Sequence, residues 1–136
     1  MNQPTPVQLM EQKRAQFALK RVKAACADAS VIDSEFKAYI RRLPAMIQTN
    51  GLGQSLAFYN ARMREKAAYL HIVNLVNDWL CQPGMPYENS RDALDGITTE
   101  DMFLYRQADA ELRALLSWLK KFAEAYCGNG TEGANK

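Results

Sequence analysis

The chain has 136 residues, 48% of them hydrophobic and 24% charged, with a formal net charge of +2. That length fits one domain burying about two-thirds of its unfolded surface, and the apolar content excludes wholesale disorder. No run approaches 18 apolar residues, and the N-terminal MNQPTPVQLMEQKR lacks an apolar h-region, so neither a membrane span nor a signal peptide is expected.

Thr5-Pro6-Val7-Gln8 has the form of a capping box with proline at the first helical position. A first helix is predicted from Pro6 to about Ala27, with Ala15, Ala18, Leu19, Val22 and Cys26 as its buried stripe. Lys13, Arg14, Lys20, Arg21 and Lys23 spread over its opposite face. Asp33 or Ser34 can cap a second helix that turns Phe36, Tyr39, Ile40 and Leu43 inward and Lys37, Arg41 and Arg42 outward. That helix should stop at Leu43, because a residue before proline is pushed out of the helical region. Pro44 then begins a short new helix that Asn50-Gly51 ends. The next helix takes Leu52, Leu56, Ala57 and Phe58 inward, and a break or bend is expected around Asn60–Lys66. Tyr69, Ile72, Val73, Val76 and Leu80 keep phase in a clear helix that ends before Gln82-Pro83-Gly84-Met85-Pro86. A short turn is placed around Arg91–Leu94, and Thr98 with Asp101 forms the next N-cap pair. The last helix reaches about Tyr126 and is about 40 Å long. Its stripe is Tyr105, Ala108, Leu112, Leu115, Leu119, Phe122 and Tyr126, broadened by Met102, Leu116 and Trp118.

No stretch shows strand-like alternation. The expected fold is all-α: a compact single-domain bundle of five or six helices with a long C-terminal helix. Residues 1–136 form that one domain, with an ordered core over about 6–127 and a flexible tail over 128–136. Cys26, Cys81 and Cys127 are odd in number and widely spaced, so no disulfide framework is expected. A reducing, cytoplasmic setting is favoured.

Catalytic chemistry finds little support. His71 is the only histidine and sits between Leu70 and Ile72, where packing or hydrogen bonding is the ordinary role. No Cys or His lies at metal-ligand spacing from it, so no metal or cofactor is expected. Gly51 and Gly53 precede no GK[ST] and follow no strand, so they form no phosphate loop. Ser55 and Ser117 lack an evident base. The acidic groups Asp92/Asp95 and Glu100/Asp101 fall near helix starts, where negative charge is favoured. No catalytic residue is assigned.

Charge is more informative. Residues 1–66 carry a net +6 and residues 67–136 a net −4. The set Lys13, Arg14, Lys20, Arg21, Lys23, Arg41, Arg42, Arg62 and Arg64 suits phosphate contact or a neighbouring subunit, binding that is sequence-tolerant and salt-sensitive. The opposite signs of the two halves suit head-to-tail contact between copies. Tyr59 near Arg62 offers a stacking face, or is buried.

LPAMIQTNGLGQSLAFY, together with Tyr105-Arg106, Glu111 and the run Ser117-Trp118-Leu119-Lys120-Lys121-Phe122-Ala123-Glu124-Ala125, closely resembles the small α-helical subunit of type III-B CRISPR effector complexes, the Cmr complexes. The resemblance spans about Glu11 to Ala125. One departure is that Tyr59-Asn60-Ala61-Arg62 stands where a basic residue often follows the LAF segment. The resemblance implies a non-catalytic protein of antiviral defence. Its copies would stack in a short filament beside the guide-holding backbone subunits, contact the large subunit, and line the groove where guide RNA and single-stranded target RNA pair. The competing reading is a stand-alone helical DNA-binding regulator, in which the second and third helices around Asn50-Gly51 form a helix-turn-helix.

Overall fold

Thr5 begins the first helix through a reciprocal cap. Its hydroxyl accepts the Gln8 N–H at 3.1 Å, and the Gln8 side chain accepts the Thr5 N–H at 2.7 Å. Pro6 follows at the first helical position, where its missing N–H costs nothing. The structure, a computed structural model, describes residue 3 and residues 5–128. Its helices are α1 (Pro6–Ala27), α2 (Asp33–Asn50), α3 (Leu52–Arg62), α4 (Ala67–Leu80), α5 (Ala93–Thr99) and α6 (Met102–Tyr126). No strand occurs among the described residues, so the all-α bundle with a long last helix is the fold. Beyond Gly128, the expected tail lies outside the described residues.

The largest local departure from the sequence reading is at Pro44. The helix does not stop at Leu43; α2 runs through the proline to Asn50. An interior proline removes one backbone bond and crowds the carbonyl four residues back. Packing overrides that cost, because Phe36, Ile40, Leu43 and Ile47 hold one helical phase across it and are at most 2% exposed. Gly51 does end α2. Its φ of +86° and ψ of 162° lie in a region essentially open to glycine alone, and the chain turns there directly into α3. Asp33 and Ser34 lie inside α2, which Ile32 precedes without a side-chain cap. Thr98 belongs to α5, and Asp101 alone caps α6 by accepting the Leu104 N–H at 2.9 Å. The short helix expected near Arg91–Leu94 is α5, displaced toward the C-terminus and capped by Asp92.

Cross-chain bonds fix the directions of the helices. Arg14 meets Glu111 and Cys26 meets Cys127, so α1 and α6 run parallel. Arg113 reaches Gln48 and the Gly128 N–H reaches Asp33, so α2 is antiparallel to α6. Arg21 pairs with Asp78 and His71 with Asp28, so α4 is antiparallel to α1. The starts of α1, α3 and α6 therefore share one end of the bundle with the ends of α2 and α4. The core between them holds Phe36, Ile40, Leu43, Tyr59, Ile72, Leu75, Leu80, Leu112, Leu115 and Leu116, each fully or almost fully buried. α5 packs against α3 and α4. A Cβ on Gly53 of α3 would approach Ile97 at 3.2 Å, and one on Gly96 would enter the buried Tyr87 ring at 2.4 Å. Both glycines are close-packing joints.

Several side chains sit differently from their predicted faces. Lys37 is 8% exposed rather than outward, because α3, α4 and α6 all pack on α2 and narrow its open face. Ala57 is exposed, lying off the line of Leu52, Ser55, Leu56 and Tyr59 that α3 buries. Met102 and Tyr126 are exposed at the two ends of α6, where its neighbours no longer cover the stripe. Cys26 and Cys127 are joined as a disulfide with Cα atoms 5.8 Å apart, and Cys81 is the free thiol. The absence of a bridge expected from cysteine spacing is thus overturned. Parallel packing of two helices 101 residues apart in sequence creates a proximity that spacing cannot reveal. No described helix is long and apolar enough to cross a membrane.

Candidate nucleic-acid interface

The nine basic residues singled out in the sequence do not form one surface. On α1, Lys13, Lys20 and Lys23 are exposed and make no ion pair among the described residues. The Lys23 ammonium lies over the Tyr126 ring at 5.2 Å. Arg14 and Arg21 turn back into the bundle. Arg14 donates to both Glu111 oxygens, at 2.7 and 2.9 Å, and also pairs with Glu11. Its side chain is 16% exposed, and that of Glu111 is 13%. Trp79 Nε1 donates to the same Glu111 carboxylate at 3.0 Å. The Arg14 hydrogen bonds, helped by Trp79, hold the Glu111 carboxyl below its usual range against the opposing effect of burial. Arg21 pairs with Asp78 and lies over Phe17. These two arginines bind helices together, so the set offered to a ligand on α1 shrinks to three lysines.

A second group gathers where α2, α3 and α4 meet. Arg64 is exposed and unpaired among the described residues; so is Arg41, but it shares the α2 face of Gln48, which bonds Arg113 of α6, and so lies away from this junction. Arg42 donates to the Tyr69 hydroxyl at 2.7 Å, and its guanidinium carbon lies 5.1–5.9 Å from the rings of Tyr39, Phe58, Tyr59 and Tyr69. Tyr39 and Tyr69 stack at 4.0 Å, and Tyr69 meets Tyr59 edge-on at 5.2 Å. Tyr59 is fully buried and its hydroxyl donates to the Tyr39 carbonyl. Burial pushes its pKa up to about 12, keeping the phenol neutral. Tyr59 is therefore structural, and the ring beside Arg62 is Phe58, 3.5 Å from the guanidinium carbon. Helical spacing contained this signal: Arg62 follows Phe58 by four residues and Arg42 follows Tyr39 by three, the two separations that meet on one helix face.

The remaining reactive side chains are engaged structurally. His71 Nε2 lies 2.8 Å from Asp28. That contact, with further hydrogen bonds from Ser30, holds the Asp28 carboxyl at about 2. Burial raises the Cys81 thiol. Ser55 is fully buried and Ser117 exposed. Among the described residues no group of three or more His, Cys, Asp and Glu is placed to hold a metal ion. An open groove of about 610 Å³ lies beside the starts of α1 and α6 and the 84–89 loop. Its Glu111 is already held by Arg14 and Trp79. The outward positions of α3 are Gln54, Ala57 and Ala61, a poor set for reading base edges in a DNA groove.

The two blocks that carry the family resemblance touch. The Leu52 N–H donates to the Tyr105 hydroxyl at 3.1 Å, so a residue of α6 satisfies an orphan donor at the start of α3. Arg113 bonds Gln48 at 3.0 Å. The sequence reading placed Tyr105 in the apolar stripe and in the second family block and missed this cap.

Comparisons with known proteins agree with that unit. Residues 10–126 match the family described as CRISPR-associated protein (Cas_Cmr5). The CRISPR system Cmr subunit Cmr5 of Thermus thermophilus is 28% identical over 111 residues, covering 82% of this chain and 90% of that protein. The crystal structure of a CRISPR-associated Cmr5 family protein from the same organism superposes with a TM-score of 0.68 at 23% identity, covering 88% of this chain and 98% of that one. With a family match across most of its length and the same helical fold, the chain belongs to the CRISPR-associated Cmr5 family.

Proposed function

We propose that this chain is a non-catalytic building block of a Cmr-type, RNA-guided antiviral complex. Its copies stack end to end beside the backbone subunits, contact the large subunit, and hold guide RNA and single-stranded target RNA along exposed cations. The observation that carries this reading is the set Lys13, Lys20, Lys23, Arg41 and Arg64, exposed and without a carboxylate partner among the described residues. Surface cations left without a carboxylate partner suit phosphates. The histidine, the buried carboxylate and two of the three cysteines are all occupied in holding helices together, which supports a structural role over a catalytic one.

Stacking finds support in charge arranged by ends rather than by sequence halves. The two halves interleave, since Arg14 and Arg21 pair with Glu111 and Asp78. The segment between α4 and α6, however, carries Glu88, Asp92, Asp95, Glu100 and Asp101 against Arg91 alone. The opposite end carries Lys23, Arg64, Lys66, Lys120 and Lys121 beside Asp28, Asp33, Glu35, Glu65 and Glu124, of which Asp28, Asp33 and Glu35 are engaged by His71, the Gly128 N–H and Lys66, so it is the less negative of the two. Such ends attract head to tail, a heterologous contact that grows filaments rather than closed dimers.

The test is the affinity for single-stranded RNA as a function of salt. The unmodified protein should lose affinity steeply with salt. Replacing Lys20, Lys23, Arg41 and Arg64 by Glu should flatten the log–log slope by about 0.7 for each phosphate no longer neutralised. An unchanged slope would sink the assignment of these cations.

A further inference from the structure

We propose that Phe58 and the Arg62 guanidinium resting on it form a stacking seat for one unpaired base of single-stranded RNA, with Arg42 and Arg64 beside the flanking phosphates. This rests on the RNA-contact reading above and adds a site and the part of the nucleotide it takes.

The geometry is specific to a flat ligand. The Arg62 guanidinium carbon lies 3.5 Å from the Phe58 ring centroid, the thickness of two stacked planes. An edge-on approach would interpose N–H groups and hold that carbon farther away. The guanidinium therefore lies flat on the ring, an arrangement open to arginine and closed to lysine. Arg62 also donates through Nη1 to the Phe58 carbonyl at 3.2 Å, which fixes its orientation at the end of α3 before any ligand arrives. Its inner face is covered by Phe58 and the residue as a whole is half-buried; the proposal puts the base on the outer face. Bases stack on such planes.

The way these arginines are held points the same way. Arg14, Arg21 and Arg113 each have a carboxylate partner. Arg42 and Arg62 have none among the described residues and are held by four aromatic rings, a phenol hydroxyl and a backbone carbonyl. Their positive charge is oriented without being neutralised. Arg42 and Arg62 both flank the single ring of Phe58, so a base on the seat brings its own phosphates beside a second cation. An acidic protein surface would use the charge but not the flat face, and for that reason the seat is assigned to RNA.

The test uses the full chain and a short single-stranded RNA containing 2-aminopurine, whose fluorescence falls on stacking. Arg62→Lys keeps the charge and removes the plane; Arg64→Gln removes charge alone; circular dichroism verifies that both variants fold. The unmodified protein should quench the probe. Arg62→Lys should lose the quench and bind the single strand about tenfold more weakly, while its affinity for a fully paired duplex stays unchanged. Arg64→Gln should weaken single strand and duplex alike and keep the quench. If Arg62→Lys quenches and binds the single strand like the unmodified protein, or weakens single strand and duplex equally, there is no seat. If it keeps RNA binding but loses association with a neighbouring subunit, the surface is a protein contact and the seat is likewise wrong. If the unmodified protein binds neither single strand nor duplex, the broader RNA-contact reading fails as well.

Discussion

Glu111 is the residue on which most depends. It receives Arg14 from α1 and Trp79 from α4 while standing on α6, so one carboxylate joins three helices. Breaking a mostly buried pair by removing one charge is costly because the other is left without its partner. Glu111→Gln should destabilise the protein by about 2–3 kcal/mol near pH 7, read from urea denaturation. The pH dependence has a definite sign. The carboxyl is held below its usual range in the folded chain, so its contribution is fully present above the unfolded value, about 4.3. It is lost as pH falls through the folded value. The gap between the original protein and Glu111→Gln should therefore close in acid. A gap that is constant from pH 7 to pH 3 would show that the charge pair is not its source. At this scale helical phase showed which residues were charged and roughly which face they took. It did not show that Arg14 and Arg21 would find carboxylates 97 and 57 residues away. A periodic pattern fixes a face, whereas the partner on that face is set by tertiary packing.

At the scale of elements, most boundaries were legible because they coincide with strong local chemistry. The Thr5–Gln8 box, Gly51 and the run after Leu80 mark real ends. Pro44 was misleading for an instructive reason. Its local preference opposes a continuous helix, but the apolar phase from Phe36 to Ile47 persists across it, and four buried side chains outweigh one missing backbone bond. The proline therefore stands at a position that tolerates it at a cost. Pro44→Ala restores a donor toward the Ile40 carbonyl and relieves the ring's crowding. It should stabilise the protein by about 1–2 kcal/mol, less than the full helix-interior penalty because the unfolded chain also gains freedom. Equilibrium denaturation measures this, and a destabilised variant would mean that the proline ring is itself a needed packing element. The cap that Tyr105 gives α3 was illegible, since a residue in an apolar stripe shows no sign that its hydroxyl serves a helix in another part of the chain.

Across the whole molecule, the parallel course of α1 and α6 explains two features that the sequence presented differently. It brings Cys26 and Cys127 together, and it interleaves the two oppositely charged halves of the chain. The bridge closes a loop spanning 101 residues and should add about 2–4 kcal/mol when formed. Oxidised protein, unfolded without reductant, should titrate one thiol, that of Cys81, and reduced protein three. The melting temperature should fall on reduction. Equal thiol counts or equal melting temperatures would show that the pair is not bridged or does not matter to stability. The contact between the Leu43–Phe58 segment and α6 gives the family signature a physical meaning: its two blocks are one packed unit, joined by Leu52 to Tyr105 and Gln48 to Arg113. Lys13, Lys20, Lys23 and Arg64 lie outside that unit, whereas Arg106, Lys120 and Lys121 are exposed within its second block.

The central claim, an RNA-holding and self-stacking subunit of a Cmr complex, is tested most directly by recovering the tagged chain from its own cells and identifying what accompanies it. The account predicts guide RNA, the backbone and large subunits, and untagged copies of the same chain, with RNA and copies released as salt is raised. Recovery of the chain alone, free of RNA and of other subunits at low salt, would contradict it.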